Sequence, residues 1–335
     1  MQKISIVYGD NREKNIKDCL KNNKWTIKRS IENKNSNTLF IKVNTVNINY
    51  PEACTSPKTL KPVINYFYDK FENIIIGDNS DAFKNDKNIY SFLKKDYPKI
   101  KFSNFSKALS KKIKFKCVHG EEEIKISQIP KKVYSISLAL PKTHDTFVFT
   151  GCLKNMAVGM ILDKKWAVHG LRQSKRIFLK KLVKSNRYKN QNLYKAIKET
   201  YPDLSIMDGF QGIEGNGPIY GTQRPLKTAL CGTDGVAIDT VSSYLIGFEN
   251  VPYLELCSKN GLGTSNLNKM KFKISGFKKL DDIRTQFKPH YLYSYQVMDS
   301  KAEVSNLNIK HIKNIICKFK KNKKKNNLHS PMNEL

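Results

Sequence analysis

The chain has 335 residues, a length that allows one large domain or two medium ones. Lys and Arg number 60 against 29 Asp and Glu, which gives a formal net charge of +31. Hydrophobic residues make up 39% of the sequence, which excludes a disordered composition. No apolar run approaches the roughly 20 residues of a membrane-spanning helix, and the N-terminal MQKISIVYGD lacks the apolar stretch of a signal peptide. We therefore expect a cytoplasmic protein without a transmembrane segment.

The positive charge is mostly Lys, and it is spread along the chain with abundant Asn and Ile, a pattern typical of an AT-rich genome. It is locally dense only in Lys310–Asn327. From about Val304 the composition predicts a surface helix, and residues 306–335 are expected to form a disordered basic tail. The stretch Lys310–Lys325 favours weak, salt-sensitive contact with nucleic acid or an anionic membrane as an alternative function.

Seven cysteines are scattered along the chain without a Cys-x-x-Cys pair. Zinc ribbons and ferredoxin-type clusters need closely spaced thiolates, so we expect no iron–sulfur cluster. Reduced, mostly buried thiols are the favoured interpretation. The alternative is that Cys54 and Cys152, which lie near candidate loops, act as a nucleophile or as ligands. The binding of a divalent metal is left open by the sequence.

Strands alternate with helices along the chain, which predicts an α/β fold with a mostly parallel sheet and flanking helices. The predicted strands are Gln2–Tyr8, Thr38–Val43, Asn73–Ile76, a hairpin over Lys111–Ser127, Val133–Leu140, Leu204–Met207, Thr228–Cys231 and Lys271–Ser275. The predicted helices are Asn15–Asn22, Pro57–Phe71, Asn88–Tyr97, Gly151–Leu162, Ser174–Lys184, Asn192–Thr200, Asp234–Leu245 and Val251–Lys259. Residues 1–305 are expected to form one domain, with two lobes (about 1–135 and 136–305) around a central cleft as the alternative.

The segment LPKTH (140–144) follows a predicted strand, and ligands of parallel sheets collect where strands end. Lys142 is suited to hold a carboxylate or phosphate. His144 is suited to act as an acid, a base or a ligand. The alternative is a turn with a solvated Lys and a capping His.

The segment TGCLKN (150–155) begins a predicted helix. Small residues at a helix start let backbone amides approach an anion, which the helix dipole favours. Lys154 and Asn155 would add donors, and His169 follows downstream. The alternative is an ordinary amphipathic helix with an exposed Lys.

Five glycines and one proline lie within Met207–Gly221, which predicts a loop and not a helix or a central strand. Asp208 and Glu214 supply carboxylates suited to a metal or to general-base work. Three glycines, Gly215, Gly217 and Gly221, would allow close backbone approach to a substrate. The segment matches neither GxxxxGK[ST] nor a GxGxxG that enters a helix.

The segment CGTDGVAID (231–239) predicts a helix capped by Thr233 or Asp234. Asp239 lies within this otherwise apolar helix, where a carboxylate needs a partner. It is expected to hold Lys142 or Lys154, or to cap a neighbouring turn.

Taken together, these segments resemble the domain-of-unknown-function family 362. The resemblance covers roughly residues 38–265 and rests on six ordered motifs: LPKTH (140–144), GCLKNMAVG (151–159), His169, DGFQGIEGNGPIYG (208–221), GTDGVAIDTVSSYLIG (232–247) and Gly261-Leu-Gly263. Upstream, Lys42-Val-Asn44 and Cys54-Thr-Ser56 look like the family's Lys-Pro-Asn and following Thr segment, with Val43 in place of Pro. The resemblance therefore implies Lys42 and Asn44 as an opposite wall of the site.

The family has no established activity, and many members are described as iron–sulfur proteins because they carry ferredoxin-like cysteine motifs. This chain lacks those motifs. A looser likeness, of Lys and His near Gly-rich loops, is to the N-terminal domain of lactate racemase.

These observations favour an enzyme that acts on an anionic small molecule. The expected catalytic residues are His144, Lys154 and Asp208. The expected substrate-binding residues are Lys42, Asn44, Lys142, Asn155, His169, Glu214, Gly215, Gly217 and Gly221, with Asp234 and Asp239 in support. The alternatives are a redox or iron–sulfur-associated accessory protein, and a nucleic-acid or membrane binder that uses the basic tail.

Overall fold

A computed structural model gives the structure of the chain and describes residues 3–84, 89–105, 108–171 and 179–297. The predicted basic tail and Cys317 lie outside these ranges. The strands are β1 (Lys3–Tyr8), β2 (Thr38–Lys42), β3 (Asn73–Gly77), β4 (Ile100–Ser103), β5 (Ser110–Cys117), β6 (Gly120–Ser127), β7 (Val133–Ala139), β8 (Lys142–Thr143), β9 (Phe149–Thr150), β10 (Leu204–Glu214), β11 (Thr222–Gly232) and β12 (Lys271–Ser275). The helices are α1 (Arg12–Asn22), α2 (Lys24–Lys34), α3 (Pro57–Phe67), α4 (Asp81–Lys84), α5 (Cys152–Gly159), α6 (Leu179–Glu199), α7 (Gly235–Leu245), α8 (Pro252–Lys259) and α9 (Tyr293–Val297).

Eight strands form the main path of one large sheet in the order β12-β1-β11-β10-β7-β2-β3-β4. Strand β11 is antiparallel to both of its neighbours, and the other neighbouring pairs on this path are parallel. The predicted α/β fold with a mostly parallel sheet is therefore confirmed. Strand β7 lies between β2 and β10, so strands from before and after residue 135 share this sheet.

Helices cover both faces of the sheet and enclose two hydrophobic cores. Side chains alternate between the faces with the two-residue period of a strand, so Leu39 and Ile41 pack with α1 and α3 while Phe40 packs with the core around α5 to α8. Lys42 shares the face of Phe40, and the Nζ of Lys42 contacts Asn155 of α5. A lysine of β2 is thus directed into the helix layer and not into water.

The strand order reverses between β2 and β7. The chain runs outward from β2 through β3 to β4, and then returns to β7 on the other side of β2. Where strand order reverses in this way, the connections at the carboxyl ends leave in opposite directions, and ligands bind between them. The ends of β2 and β7, at Lys42 and Ala139, mark this position.

Strand β10 corrects the prediction that Met207–Gly221 cannot be a central strand. The strand runs to Glu214 and is paired with β7 on one side and β11 on the other. The pairing of β10 with β11 continues past Gly209 because the register shifts between Gly209 and Gln211. At Gly212 a Cβ would lie 2.8 Å from the carbonyl oxygen of Pro141, so the missing side chain permits close packing. The loop is only the segment that follows Glu214.

Three helix predictions also differ from the structure. Helix α2 was not predicted, because the Asn22-Asn23 pair indicates a helix end, yet the chain resumes a helix at Lys24. The two helices predicted between Ser174 and Thr200 are one amphipathic helix, α6, over the part that the structure describes. The helix predicted over residues 88–97 is a short 3₁₀ turn at Ser91–Lys94. No helix in the described ranges is long and apolar enough to cross a membrane.

A carboxylate from α7 caps helix α5. The Gly151 cap position offers no side chain, and a Cβ there would lie 2.5 Å from an oxygen of Asp239. The carboxylate accepts the amide hydrogens of Cys152 at 2.7 Å and Leu153 at 2.9 Å. These are two of the four amides that the first turn of a helix leaves unpaired. Asp239 thus fixes the start of α5, and with it Lys154 and Asn155.

We predict that Asp239→Ala lowers the free energy of unfolding by about 1–2 kcal/mol, because two buried amides lose their acceptor. Chemical denaturation measures this change. Asp18→Ala is the matched control, since Asp18 is a partly exposed helix residue whose partner is Lys14, and its loss should change stability by less than about 0.5 kcal/mol. Equal effects of the two substitutions would contradict the capping role.

Candidate functional site

A buried ion pair joins the ends of β2 and β3. The Nζ of Lys42 donates to Asp78 at 2.8 Å and to the carbonyl of Val43 at 2.7 Å. The second carboxylate oxygen of Asp78 accepts from the amide and hydroxyl groups of Thr45. Burial lowers the pKa of Lys42, and Asp78 partly offsets this effect. Both charged groups of the pair therefore have hydrogen-bond partners, as expected of a structural ion pair.

Asn155 connects this pair to the next lysine. Its Oδ1 accepts from Lys42 and from the Nδ2 of Asn44, each at 3.2 Å, while its Nδ2 donates to Ser137 of β7. Asn44 in turn accepts from the Nζ of Lys142 at 2.9 Å. One hydrogen-bond network thus spans β2, β7 and α5.

Lys142 is almost fully buried beside neutral groups. Its Nζ donates to Asn44 and to the carbonyl of Ala53, both at 2.9 Å. These two oxygens accept two of the three hydrogens of the ammonium group. Burial lowers the pKa of Lys142 to about 8. Near neutral pH the group is therefore a buried cation that neutral oxygen atoms contact.

Lys154 and His144 form the most unusual pair of the site. The Nζ of Lys154 lies 2.7 Å from the Nε2 of His144, and both side chains are less than a tenth exposed. Burial lowers the pKa of Lys154 to about 7; the nearby carboxylate of Asp145 partly opposes this effect, and Lys142 adds to it by repulsion. Burial and the nearby Lys154 lower the pKa of His144 to about 4. At neutral pH, His144 is neutral and Lys154 populates both the amine and the ammonium form.

The other ring nitrogen of His144 has two kinds of neighbour. Its Nδ1 lies 2.7 Å from the carboxylate of Asp145, which favours a proton on Nδ1. The amides of Thr146 and Phe147 also point at Nδ1, which favours an unprotonated nitrogen. Because the two nitrogens of a neutral imidazole cannot both carry the proton, these contacts support either tautomer. The contacts therefore leave open whether Nδ1 or Nε2 of the neutral ring carries the proton.

Side chains from two other elements hold the loop that carries His144. The amide of Gln296 donates to the carbonyls of His144 and Asp145 at 2.6 and 2.8 Å. Lys189 of α6 donates to the carbonyl of Thr146 at 2.8 Å, and burial lowers the pKa of Lys189 to about 7. The backbone around His144 is thus fixed from two elements that are distant in sequence.

Aromatic rings close one side of this pair. The ring of His169 stacks on His144 with centroids 5.8 Å apart, and Phe147 lies 5.4 Å from His169. The Nζ of Lys154 lies 5.4 Å from the centre of the Phe147 ring. The structure therefore brings together seven of the sequence-predicted residues: Lys42, Asn44, Lys142, His144, Lys154, Asn155 and His169.

Asp208 and Glu214 have other partners. Asp208 lies on the α1 and α3 face of β10, where Thr59 donates to its carboxylate and the Nε of Arg12 is 3.5 Å away. Burial raises the pKa of Asp208, and Arg12 opposes this effect. Glu214 contacts Arg224 at 3.3 Å and accepts from the amide of Lys288. The structure does not bring either carboxylate to the Lys154–His144 pair.

The predicted glycines pack against Thr143. Its hydroxyl donates to the carbonyl of Gly215 at 2.9 Å, and a Cβ on Gly217 would overlap the Thr143 backbone. A Cβ on Gly221 would overlap the carbonyl of Glu214. These residues thus support the strand that carries Lys142 through backbone packing. The contact of these glycines with a substrate, which the sequence predicts, stays a prediction.

The two aspartates expected to give support act as helix caps. Asp234 accepts from the amides of Ala237 at 2.9 Å and Thr264 at 3.0 Å. Of the alternatives for Asp239, the structure shows the cap of a neighbouring helix start, that of α5, in place of an ion pair with Lys142 or Lys154.

The six described cysteines are free and buried. Burial raises the pKa of Cys54, and it raises that of Cys152 well above its usual range. A raised pKa keeps these groups as thiols, which disfavours a nucleophilic role. Among the described residues, no group of three or more His, Cys, Asp or Glu is arranged to hold a metal ion.

Sequence reasoning missed Asp78, Asp145, Lys189 and Gln296. A signal existed for Asp78, because it follows directly after the buried strand NIIIG (73–77). Lys189 lies four residues before buried Leu193, on the apolar side of α6, where a lysine is unexpected. Nothing in the local sequence relates Gln296 to His144, which is 152 residues away.

Comparison with known families gives one match. The model of the family described as "Domain of unknown function (DUF362)" matches residues 39–244, which is more than half of the chain. The matched range begins in β2 and ends in α7, so it contains the lysines at the ends of β2 and β7 and the start of α5. No curated protein matches the chain.

We predict that Lys154→Met raises the free energy of unfolding of the ligand-free protein by about 1–3 kcal/mol at pH 7, since it removes a buried cation that lacks a carboxylate partner. The folded-state pKa of about 7 lies below the ordinary 10.5, so the unfolded chain binds more protons between these values. The wild-type protein therefore gains stability from this group as pH rises, and the advantage of the variant should shrink towards pH 10. Urea denaturation between pH 6.5 and 10 measures it.

Lys42→Met is the matched control, because this lysine has a carboxylate partner. Its loss leaves Asp78 buried without a cation, and we expect destabilisation by about 3–5 kcal/mol. If both substitutions destabilise the protein to the same extent, Lys154 is a structural lysine and the distinction drawn here is wrong.

Proposed function

Because this chain belongs to the DUF362 family, whose description assigns no reaction, we propose its function from the site itself: an enzyme that binds a carboxylate- or phosphate-bearing small molecule between Lys142 and Lys154. The observation that carries the proposal is the pair of buried lysines with neutral partners. Lys142 contacts two oxygen acceptors, and Lys154 contacts the imidazole of His144. Asp145 and Asp78 attract these lysines only from a distance. A buried cation without a carboxylate in direct contact is costly, and a bound anion would supply that contact.

The position of the lysines supports the same conclusion. Both follow β7, at the switch between β2 and β7 where parallel sheets bind ligands. Lys154 also lies in the first turn of α5; because the Asp239 carboxylate already caps that helix start, the lysines and not the helix dipole would hold the anion. The lysine with a full set of partners, Lys42, holds the frame together with Asp78 and Asn155.

We assign the proton-transfer role to Lys154 and His144. A general acid or base works best when its pKa lies near the working pH, and Lys154 meets this condition because of burial. His144 is neutral at that pH and lies within hydrogen-bonding distance of the amine, so it can accept or return a proton. An anion next to Lys154 would raise its pKa and shift it towards the ammonium form. Ligand binding and protonation are thus coupled in this proposal.

The ligand itself can be sought in two steps. Native mass spectrometry of the purified protein would detect a retained small molecule. Thermal unfolding in the presence of inorganic phosphate, acetate, oxalate or pyruvate would then compare anions of different shape. A ligand at 100 times its dissociation constant stabilises the folded state by about 2.7 kcal/mol, which is a measurable shift.

We predict that Lys142→Gln and His144→Ala each remove the thermal stabilisation by the best anion. Lys142→Gln removes a positive charge that would face the anion, and His144→Ala removes the ring that positions Lys154. Lys198→Gln is the matched control: it is an exposed lysine of α6 and should keep the full stabilisation. Stabilisation that survives in both site variants, or that disappears in the control as well, would contradict an anion site at these lysines.

A further inference from the structure

A second cleft lies at the opposite edge of the sheet. It has a volume of about 690 Å³ and is lined by α2 together with residues that flank β1, β10 and β11. Lys3 begins β1, Asp203 precedes β10 and Thr233 follows the antiparallel β11, so all three mark the edge where the parallel strands start. The Lys154–His144 pair lies at the edge where those strands end. The cleft is therefore separate from the site described above.

The outer wall of this cleft carries an exposed tryptophan. Trp25 of α2 is 70% exposed, although tryptophan is a residue that folding usually buries. Lys24 and Lys28 lie 5.1 and 5.9 Å from the centre of its ring. Both lysines lie over the exposed ring. A nucleobase would stack on Trp25 in place of these flexible side chains, whose ammonium groups would then meet its phosphates.

The residues that line the cleft carry a net positive charge, with the three cations Lys3, Arg29 and Lys34 against one acid, Asp203. Asp203 contacts Lys34 at 2.9 Å and accepts from Ser135, while Glu32 lies 3.7 Å from Lys28. Lys3 and Arg29 line the cleft as exposed cations. From these contacts we propose that α2 and the adjoining cleft bind single-stranded nucleic acid, with one base on Trp25 and the backbone along the cations of α2.

The extent of the surface favours a strand over a free nucleotide. Lys34 is paired with Asp203, so the relevant cations are Lys24 and Arg29, which are five residues apart, about 7.5 Å along a helix. Together with Lys3 of the cleft they can meet successive phosphates, whereas a mononucleotide meets one of them. The surface also differs from the basic tail, which was the segment that the sequence suggested for nucleic acid. Trp25 and Arg29 lie outside the matched family range of residues 39–244, so this binding is separate from the function proposed above.

The chain offers a direct reporter, because it contains two tryptophans, Trp25 and Trp166. In Trp166→Phe, emission comes from Trp25 alone. We predict that 15-nucleotide oligo(dT) and oligo(U) quench this emission on binding. Trp25→Ala, measured by anisotropy of labelled oligonucleotides, should weaken binding about five- to 100-fold, the effect of losing one stacked base.

Charge reversal tests the phosphate contacts. Lys24→Glu combined with Arg29→Glu should weaken binding and make the dependence of log K on log salt less steep by about 1.4, at about 0.7 per lost phosphate contact. The matched control is Lys278→Glu combined with Lys279→Glu. These exposed lysines follow β12 at the opposite edge, and the pair changes the net charge equally. Thermal unfolding establishes that each variant is folded.

Three results would overturn the inference. The first is oligonucleotide binding that leaves Trp25 emission unchanged. The second is an equal loss of affinity in both charge-reversed pairs, which would show attraction by net charge alone. The third is quenching by a mononucleotide, or by vesicles of phosphatidylserine and phosphatidylcholine, that matches or exceeds quenching by the oligonucleotides.

Discussion

The site depends on the burial of lysine ammonium groups that have no carboxylate of their own. Lys42 has Asp78, and its three contacts make it part of the frame. Lys142 and Lys154 lie nearby and contact neutral partners. Their pKa values are lowered because burial excludes the water that would stabilise the ammonium form. Such an arrangement lowers stability in the absence of a ligand, and folded proteins retain arrangements of this kind mainly at functional sites. The same feature accounts for both the proposed anion and the proposed proton transfer.

The fold makes this burial possible by fixing the lysines from several directions. The reversal of strand order places the ends of β2 and β7 next to each other, and Asn155 of α5 contacts Lys42 of β2 and Ser137 of β7. Helix α5 cannot cap its own start, because a side chain on Gly151 would overlap Asp239, so α7 supplies the carboxylate. Gln296 and Lys189 hold the His144 loop from the other side. The site therefore depends on residues far outside its own motifs.

The sequence predicts the elements of this site better than its connections. The strands that end at Lys42 and before Lys142 are visible in the sequence as short apolar runs, and Gly151 marks the start of α5. Because ligand-binding residues of parallel sheets gather where strands end, the sequence predicts a cluster of Lys142, His144, Lys154 and Asn155. The role of Asp208 was not predictable, because one residue of strand register decides which face of β10 it occupies. The five glycines of Met207–Gly221 indicate a loop, and only the pairing of β10 with β7 and β11 reveals that the first two, Gly209 and Gly212, lie in a strand. Lys189 and Gln296 reach the site through tertiary packing that no local pattern encodes.

The most direct test of the account is the pKa of Lys154 itself. Nuclear magnetic resonance of protein labelled with ¹³C at the lysine Cε would follow its titration, with Lys154→Met identifying the signal. The account predicts a pKa of about 7 in the ligand-free protein and a clear rise when the stabilising anion is added. A value near the ordinary 10.5 in the free protein, or one that saturating anion leaves unchanged, would contradict the claim that this lysine is a buried, unpaired cation awaiting an anionic partner.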